Sequence, residues 1–283
     1  MTICIGALCD SVGDRAQALV MASDRMVTWG FIEFEHEIPK GSAVSPTAFA
    51  LIAGDTLRGS RLIHNVRTSL PAGSTSIPQI AETTAQGYAH LRMEQIQTEI
   101  FTPRGLALQQ YYGGMQSQLM QGIVTSIDQQ MMNFDFNVAV LLGGVDESGA
   151  HLLVILNPGG TYTDFAQIGF AAIGSGDMHA IQALIGLKQT RNRSLQETAF
   201  NVYAAKRRAE VAPGVGEDTD LWIIRHDGIF QPPKESLQSL EALYREYQRP
   251  VLDELRDQIR GLGLSPEGPD SAGREHGAAP AAS

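Results

Sequence analysis

Thr2 is the residue whose type and position most directly suggest chemistry. A residue this small behind an initiator methionine normally permits removal of Met1, which would leave a hydroxyl and a free α-amino group on one residue. An alcohol is a poor nucleophile at neutral pH, but an α-amine with a pKa of about 8 can accept its proton directly or through a water. Thr2 is therefore a candidate nucleophile for acyl transfer.

Four short segments accompany Thr2 at fixed intervals: Asp24 in VMASDRMVT, Lys40 in EIPKG, Gly54 in LIAGD and Ser175 in AIGSGDMHA. On these segments the chain resembles the proteasome β-subunit family of N-terminal nucleophile hydrolases, including the bacterial proteasome-like peptidases. That family opens its first strand with Thr, ends an alanine-rich second strand in Asp, and continues with a Lys, an Ala-Gly pair and a late Gly-Ser-Gly. The 16 residues from Asp24 to Lys40 and the 14 from Lys40 to Gly54 are the family's own intervals.

The roles that the resemblance implies suit these residue types. The ammonium of Lys40 would favour the alkoxide of Thr2, and Asp24 would neutralise and orient that ammonium. The backbone N–H of Gly54 would donate to the oxyanion of a tetrahedral intermediate. Ser175 would lie near the α-amine of Thr2 and hold it or relay its proton.

The same resemblance implies a substrate pocket beside the nucleophile. Val27, Ile38 and Ile52 would line it, with Ser42 and Thr56 at its edge, and a medium-sized apolar group would fit best. Packing of the three apolar residues into the core is an equally open interpretation.

One family element is altered in this chain. The family has Asp-x-x-Ser-Gly-Gly before its late strand, where this sequence reads EVAPGVGEDTD. Glu210 takes the place of the Asp, whereas Pro213 occupies the serine position and has no hydroxyl. Thr219 and Asp220 are the alternatives for the missing group.

Other chemistries are disfavoured. Gly174, Ser175 and Gly176 begin a GxGxxG fingerprint, but His179 stands at the last glycine and no βαβ context precedes it. Cys4 lies mid-strand with no histidine nearby in sequence. Seven histidines form no HExxH pair and no zinc-like spacing, so we expect neither a metal nor a cofactor.

The elements that must position these residues follow from periodicity. Strands are predicted for TICIGALC, QALVMAS, FIEFEHEI and TAFALIAG, and later for NVAVLLGG, HLLVILN, the segment ending at AAIGSG, and LWIIR. Two long helices are predicted between about residues 77 and 132, with breaks at TPRG and YYGG. DMHAIQALIGL predicts a further helix, and Ser194 with Glu197 predicts a capping box that opens the next.

Composition sets limits on partners. A chain of 283 residues with 43% hydrophobic and 18% charged content is globular, and its net charge of −10 disfavours nucleic acid. No apolar run approaches the roughly 20 residues of a membrane helix, and the start lacks a secretion signal, so we expect no membrane and a cytoplasmic location. Cys4 and Cys9 are expected to be small buried hydrophobes.

These observations predict an α+β fold, and the resemblance makes it a four-layer αββα sandwich over residues 1–230. An amphipathic helix, interrupted or bent at Pro250, is predicted for 231–260 and a disordered tail for 261–283. The expected function is a threonine hydrolase of amide bonds, in peptides or in small amides; a non-catalytic ring scaffold is the alternative. The resemblance implies a homo-oligomer, since proteins of this fold commonly assemble into rings, and it carries no signal for or against an ATPase partner.

Overall fold

The computed structural model describes residues 2–10, 17–29, 32–71 and 73–260, which form an α+β structure. The strands are β1 Ile3–Asp10, β2 Gln17–Asp24, β3 Met26–Trp29, β4 Ile32–Glu35, β5 Gly41–Ser45, β6 Ala48–Gly54, β7 Val138–Asp146, β8 Gly149–Ile155, β9 Thr163–Asp164, β10 Phe170–Gly174, β11 Thr219–Arg225 and β12 Gly228–Phe230. The α-helices are α1 Thr56–Ser69, α2 Ile77–Ile96, α3 Leu108–Tyr112, α4 Gln121–Met132, α5 Asp177–Gly186, α6 Leu195–Ala209 and α7 Lys234–Arg260.

Two five-stranded antiparallel sheets organise the chain. The first has the order β10-β1-β2-β11-β12 and the second the order β5-β6-β7-β8-β9, while β3 and β4 form a separate hairpin. Almost every residue of β1 and β2 is buried, which agrees with their continuous apolar sequences, because a strand covered on both faces does not alternate.

The two sheets share one buried cluster. The first sheet contributes Cys4, Leu8, Leu19, Met21, Trp222 and Ile224, and the second contributes Phe49, Leu51, Ala53, Leu141, Leu152 and Val154. Alternate residues of β6 and β7 point away from this cluster and pack with α1 and α2 in another. Helices α5 and α6 contact β1, β2 and β10 of the first sheet.

Most predicted elements are confirmed, and the structure differs from the predictions in several places. Strands β3, β5, β9 and β12 were not predicted. The strand expected for 31–38 is only Ile32–Glu35, and all four of its residues are exposed. The second long helix expected before residue 132 is shorter: after α2 come a π-helical turn, a 3-10 turn, the short α3, another 3-10 turn and then α4. Helix α1 was not predicted, although Asp55 caps it by accepting from the N–H groups of Leu57 and Arg58.

The chain divides into two compact units, Met1–Ser236 and Leu237–Ser283. The predicted amphipathic helix is present as α7. Of the two alternatives predicted at Pro250, an interruption or a bend, the interruption is wrong, because the helix continues to Arg260. The predicted disordered tail lies outside the described residues. Among the helices that the structure describes, none has the length and apolar content that crossing a membrane requires.

Candidate active site

Strand register brings Thr2 to its neighbours. It immediately precedes β1, which lies between β10 and β2. The β1–β2 ladder pairs Cys4 with Ser23, so that Asp24 comes beside the start of β1. The β1–β10 ladder pairs Ile3 with Gly174 and places the next residue, Ser175, on the other side of Thr2. Residues more than 170 positions apart in sequence thus meet at one sheet end.

The Thr2 hydroxyl lies between a carboxylate and an ammonium. Its Oγ1 donates to Asp24 Oδ1 at 2.5 Å and accepts a hydrogen bond from Lys40 Nζ. Lys40 Nζ also donates to Asp24 Oδ1 at 2.7 Å. Thr2 is 3% exposed, and the side chains of Lys40 and Asp24 are 7% and 0% exposed. The three side chains therefore form a closed, buried cluster around one hydroxyl.

Backbone donors hold Asp24 in place. Its Oδ1 accepts from the N–H of Ile3 at 2.9 Å, and its Oδ2 accepts from Met26 at 3.1 Å and Gly216 at 3.0 Å. A carboxylate bound by several N–H groups is stabilised in its charged form. Asp24 is therefore suited to balance the buried charge of Lys40.

The backbone of Lys40 is also anchored. Its carbonyl accepts from Ile52 N at 3.1 Å, which ties the segment before β5 to strand β6. Cys4 Sγ in turn donates to the carbonyl of Ile52 at 3.5 Å. Burial raises the pKa of the Cys4 thiol, which keeps it protonated and makes it a poor nucleophile.

Ser175 contacts the backbone of Thr2 on both sides of its Cα. Thr2 N donates to Ser175 Oγ at 3.2 Å, and the hydroxyl lies 3.3 Å from the carbonyl oxygens of Thr2 and Pro213. Gly174 permits this approach, because it has φ +108° and a Cβ there would lie 2.3 Å from the Thr2 oxygen. Pro213, which has no hydroxyl to offer, thus contributes its backbone carbonyl.

Gly54 lies at the exposed end of β6, two residues beyond Ile52. Its φ is +95°, and a Cβ would lie 2.2 Å from the carbonyl oxygen of Asn137. The following N–H, of Asp55, donates to that same oxygen at 2.7 Å. Glycine is required here by backbone shape, and the chain turns directly into α1.

The residues predicted to line a pocket have different environments. Ile52 is 8% exposed and packs against Gly59 of α1, within the core cluster of that face. Ile38 is 67% exposed. Val27 lies partly buried on β3, and Thr56 is the exposed first residue of α1. Ser42 is partly buried on β5.

The substitutes considered for the altered family element have partners of their own. Glu210 accepts from Lys206 at 2.7 Å and from Arg207 at 3.1 Å. Asp220 accepts a bidentate pair of hydrogen bonds from Arg25, from Nε to Oδ2 at 2.9 Å and from Nη2 to Oδ1 at 2.6 Å. Glu210 and Asp220 are therefore both in ion pairs. Within the altered element, the group that contacts the Ser175 hydroxyl is the backbone carbonyl of Pro213.

Sequence reasoning missed Gly216 as a partner of Asp24. Its N–H donates across 192 positions of sequence, and the only local signal was the glycine-rich segment APGVGE. In the described residues, no group of three or more His, Cys, Asp or Glu side chains is arranged to hold a metal ion.

Comparisons with known proteins do not assign the chain to a family. No protein-family model matches the chain, and a search of the curated proteins finds no match.

Proposed function

We propose that this protein is a threonine-type N-terminal nucleophile hydrolase that cleaves amide bonds once Met1 has been removed. The observation that carries the proposal is the Thr2 hydroxyl, bound at once by the Asp24 carboxylate and the Lys40 ammonium in a buried site. A hydroxyl in an ordinary structural role does not require a buried ion pair, which is costly to assemble.

The proposed reaction uses groups of Thr2 itself. The α-amine takes the Oγ1 proton, Oγ1 bonds to the amide carbon, and the carbonyl oxygen takes the negative charge. The protonated amine then gives its proton to the leaving nitrogen, the C–N bond breaks, and an ester forms on Oγ1. A water molecule, deprotonated by the amine, adds to the ester, and the C–O bond breaks with return of the proton to Oγ1.

The surrounding residues stabilise the charges that form during these reaction steps. The Lys40 N–H bound to Oγ1 stabilises negative charge there, and Asp24 keeps that lysine in position. Ser175 Oγ, next to the Thr2 nitrogen, holds the amine once it is free. The N–H of Gly54 is assigned to the oxyanion, where losing one donor costs roughly 10²–10³ in rate.

Peptides are the favoured substrates because of β3. It begins at Met26, two residues after Asp24, and within the described residues β4 is its one paired strand. An extended peptide could therefore add to its other edge through main-chain hydrogen bonds, which a small amide could not use. Val27 on β3, together with Ile38, Ile52 and Thr56, would form the pocket that the resemblance implies.

At the level of the fold, we propose a four-layer αββα sandwich that assembles into cytoplasmic homo-oligomers, of which a ring is one form. The core shared by the two sheets and the helices on each outer face support the layered arrangement. Size-exclusion chromatography with light scattering would test the assembly, and a monomer at micromolar concentration would contradict it.

Covalent labelling of the nucleophile tests the proposed function. Protein whose N-terminus has been sequenced as Thr2 is treated with a β-lactone, and intact mass with peptide mapping locates the adduct. We expect one adduct on Thr2 and none in Thr2→Ala. Absence of an adduct on correctly processed protein would contradict the proposal and favour a non-catalytic scaffold. Parallel assays with fluorogenic peptides and acylated small amides distinguish the two substrate classes.

A further inference from the structure

Lys206 on α6 is a lysine whose side chain is 0% exposed. Its ammonium donates to Glu210 Oε1 at 2.7 Å and to the carbonyl oxygens of Gly216 at 2.8 Å and Glu217 at 2.5 Å. Burial lowers the pKa of Lys206, and the Glu210 carboxylate opposes that shift. Three acceptors match the three hydrogens of an ammonium, which is the condition for keeping such a charge inside a protein.

Two of these acceptors belong to the segment that binds Asp24. The N–H of Gly216 donates to Asp24 Oδ2 at 3.0 Å, while the carbonyl of the same residue accepts from Lys206. The two peptide planes that flank the Gly216 Cα are therefore each fixed by one charged group. Since glycine alone leaves the backbone many conformations, the lysine limits the directions in which this N–H can point.

We propose that Lys206 is a positioning residue for the nucleophilic site. It holds the carbonyl oxygens of Gly216 and Glu217, aims the Gly216 N–H at Asp24, and so fixes the carboxylate that binds the hydroxyl of Thr2. The effect on catalysis rests on the proposed function, whereas the effect on the backbone does not.

The neighbouring residue supplies a matched control. Arg207 follows Lys206 on α6 and donates to the same Glu210 carboxylate at 3.1 Å. Arg207→Gln removes one cation from Glu210 and leaves the lysine and its carbonyl contacts in place. Lys206→Met keeps an apolar side chain out to the ε position and removes the ammonium with its charge and all three donors.

Both variants are compared with the wild type, after removal of Met1, by two measurements. Hydrogen exchange reports on the amides of Ile3, Met26 and Gly216, which bind Asp24, and the β-lactone reaction gives kinact and KI at the nucleophile. In Lys206→Met we expect at least roughly 10-fold faster exchange at these amides and an about 10-fold lower kinact with unchanged KI, because a hydrogen bond to a charged group is lost. Arg207→Gln should match the wild type in both.

Equal exchange in Lys206→Met and Arg207→Gln would overturn the proposal. If the wild type forms no adduct while exchange still differs, the proposed function fails and the positioning role stands. Should Lys206→Met not fold, Lys206→Gln replaces it, because its shorter amide cannot supply all three donors. Wild-type exchange at Gly216 in that variant would overturn the proposal equally.

Discussion

At the scale of single residues, the Thr2 hydroxyl is hydrogen-bonded to two charged side chains, those of Asp24 and Lys40. Thr2→Ala removes this oxygen and leaves Asp24 and Lys40 paired through their own contact at 2.7 Å. We therefore expect amide hydrolysis to be abolished while the thermal midpoint stays within a few degrees of the wild type. Thr2→Ser restores a hydroxyl and should recover part of the turnover. Full activity in Thr2→Ala would exclude this residue as the nucleophile.

The proposed function gives Lys40 a catalytic role beside its structural one, and double mutants can separate the two. Lys40→Met leaves Asp24 as an uncompensated buried carboxylate, which should cost roughly 3–5 kcal/mol of unfolding free energy. Its activity should fall on the order of 10²–10⁴-fold. Adding Asp24→Asn removes the buried charge and should recover part of the stability in urea titrations without recovering turnover. The recovery is partial because the amide nitrogen of Asn faces a backbone N–H that donated to the carboxylate oxygen. A double mutant as unstable as Lys40→Met, or one with restored activity, would contradict the assigned roles.

The sequence was sufficient to identify the charged residues of this site but not the backbone around them. Thr2, Asp24 and Lys40 could be singled out because their residue types suit the chemistry and their spacing matches a known pattern. The N–H groups of Ile3 and Gly216 have no signature in residue type, since every non-proline residue carries one. Which of them faces Asp24 depends on strand register and on a loop 192 positions away.

At the scale of elements, Asp146 joins a hairpin to a helix. Its carboxylate, at the end of β7, accepts from Ile77 N at the start of α2 and from the backbone and hydroxyl of Ser148. Burial would raise its pKa, but these hydrogen bonds and that of His151 lower it to about 2.

The resulting dependence on pH has a definite sign. A carboxylate with a depressed pKa stabilises the fold above its unfolded pKa of about 3.9, and this contribution is lost as pH falls through about 2. Asp146→Asn should therefore lower the unfolding free energy by about 2 kcal/mol at pH 7, and the difference from the wild type should narrow below about pH 4. Urea titrations of both proteins between pH 7 and pH 3 measure this difference in unfolding free energy. A difference that stays constant over that range would contradict the assignment.

Elements with strong periodicity were predicted well, whereas those that depend on tertiary contacts were not. Helix α1 is mostly polar, and its buried positions are only Gly59, Leu62, Ile63 and Val66. Such a short apolar stripe becomes helical because β6 lies against it, a contact that local sequence does not display. Conversely, the alternation in FIEFEHEI predicted a strand over residues 31–38. The strand in the structure is Ile32–Glu35, and all four of its residues are exposed because, within the described residues, the hairpin pairs with neither large sheet.

At the scale of the whole molecule, the candidate site depends on two sheets packing closely enough for Lys40, which precedes β5, to reach Thr2, which precedes β1. One close approach between the sheets is Gly6 on β1 opposite Leu152 on β8. A Cβ at Gly6 would lie 2.6 Å from Leu152 Cδ1, and the next atom, of Leu141, is at 3.4 Å. The absence of a side chain at Gly6 therefore makes room for one particular leucine.

This contact gives a test of the sheet packing that is independent of activity. Gly6→Ala should destabilise by roughly 1–3 kcal/mol through overpacking, and Leu152→Ala by roughly 2–5 kcal/mol through the cavity that it leaves. In the double mutant the new methyl group enters the vacated space, so the loss should be smaller than the sum by at least about 1 kcal/mol. Gly122→Ala in α4, where a Cβ meets nothing within 4 Å, is the control and should be neutral or stabilising. Strict additivity in urea titrations would mean that Gly6 and Leu152 do not meet, and the two sheets would then not hold Thr2 and Lys40 together in this way.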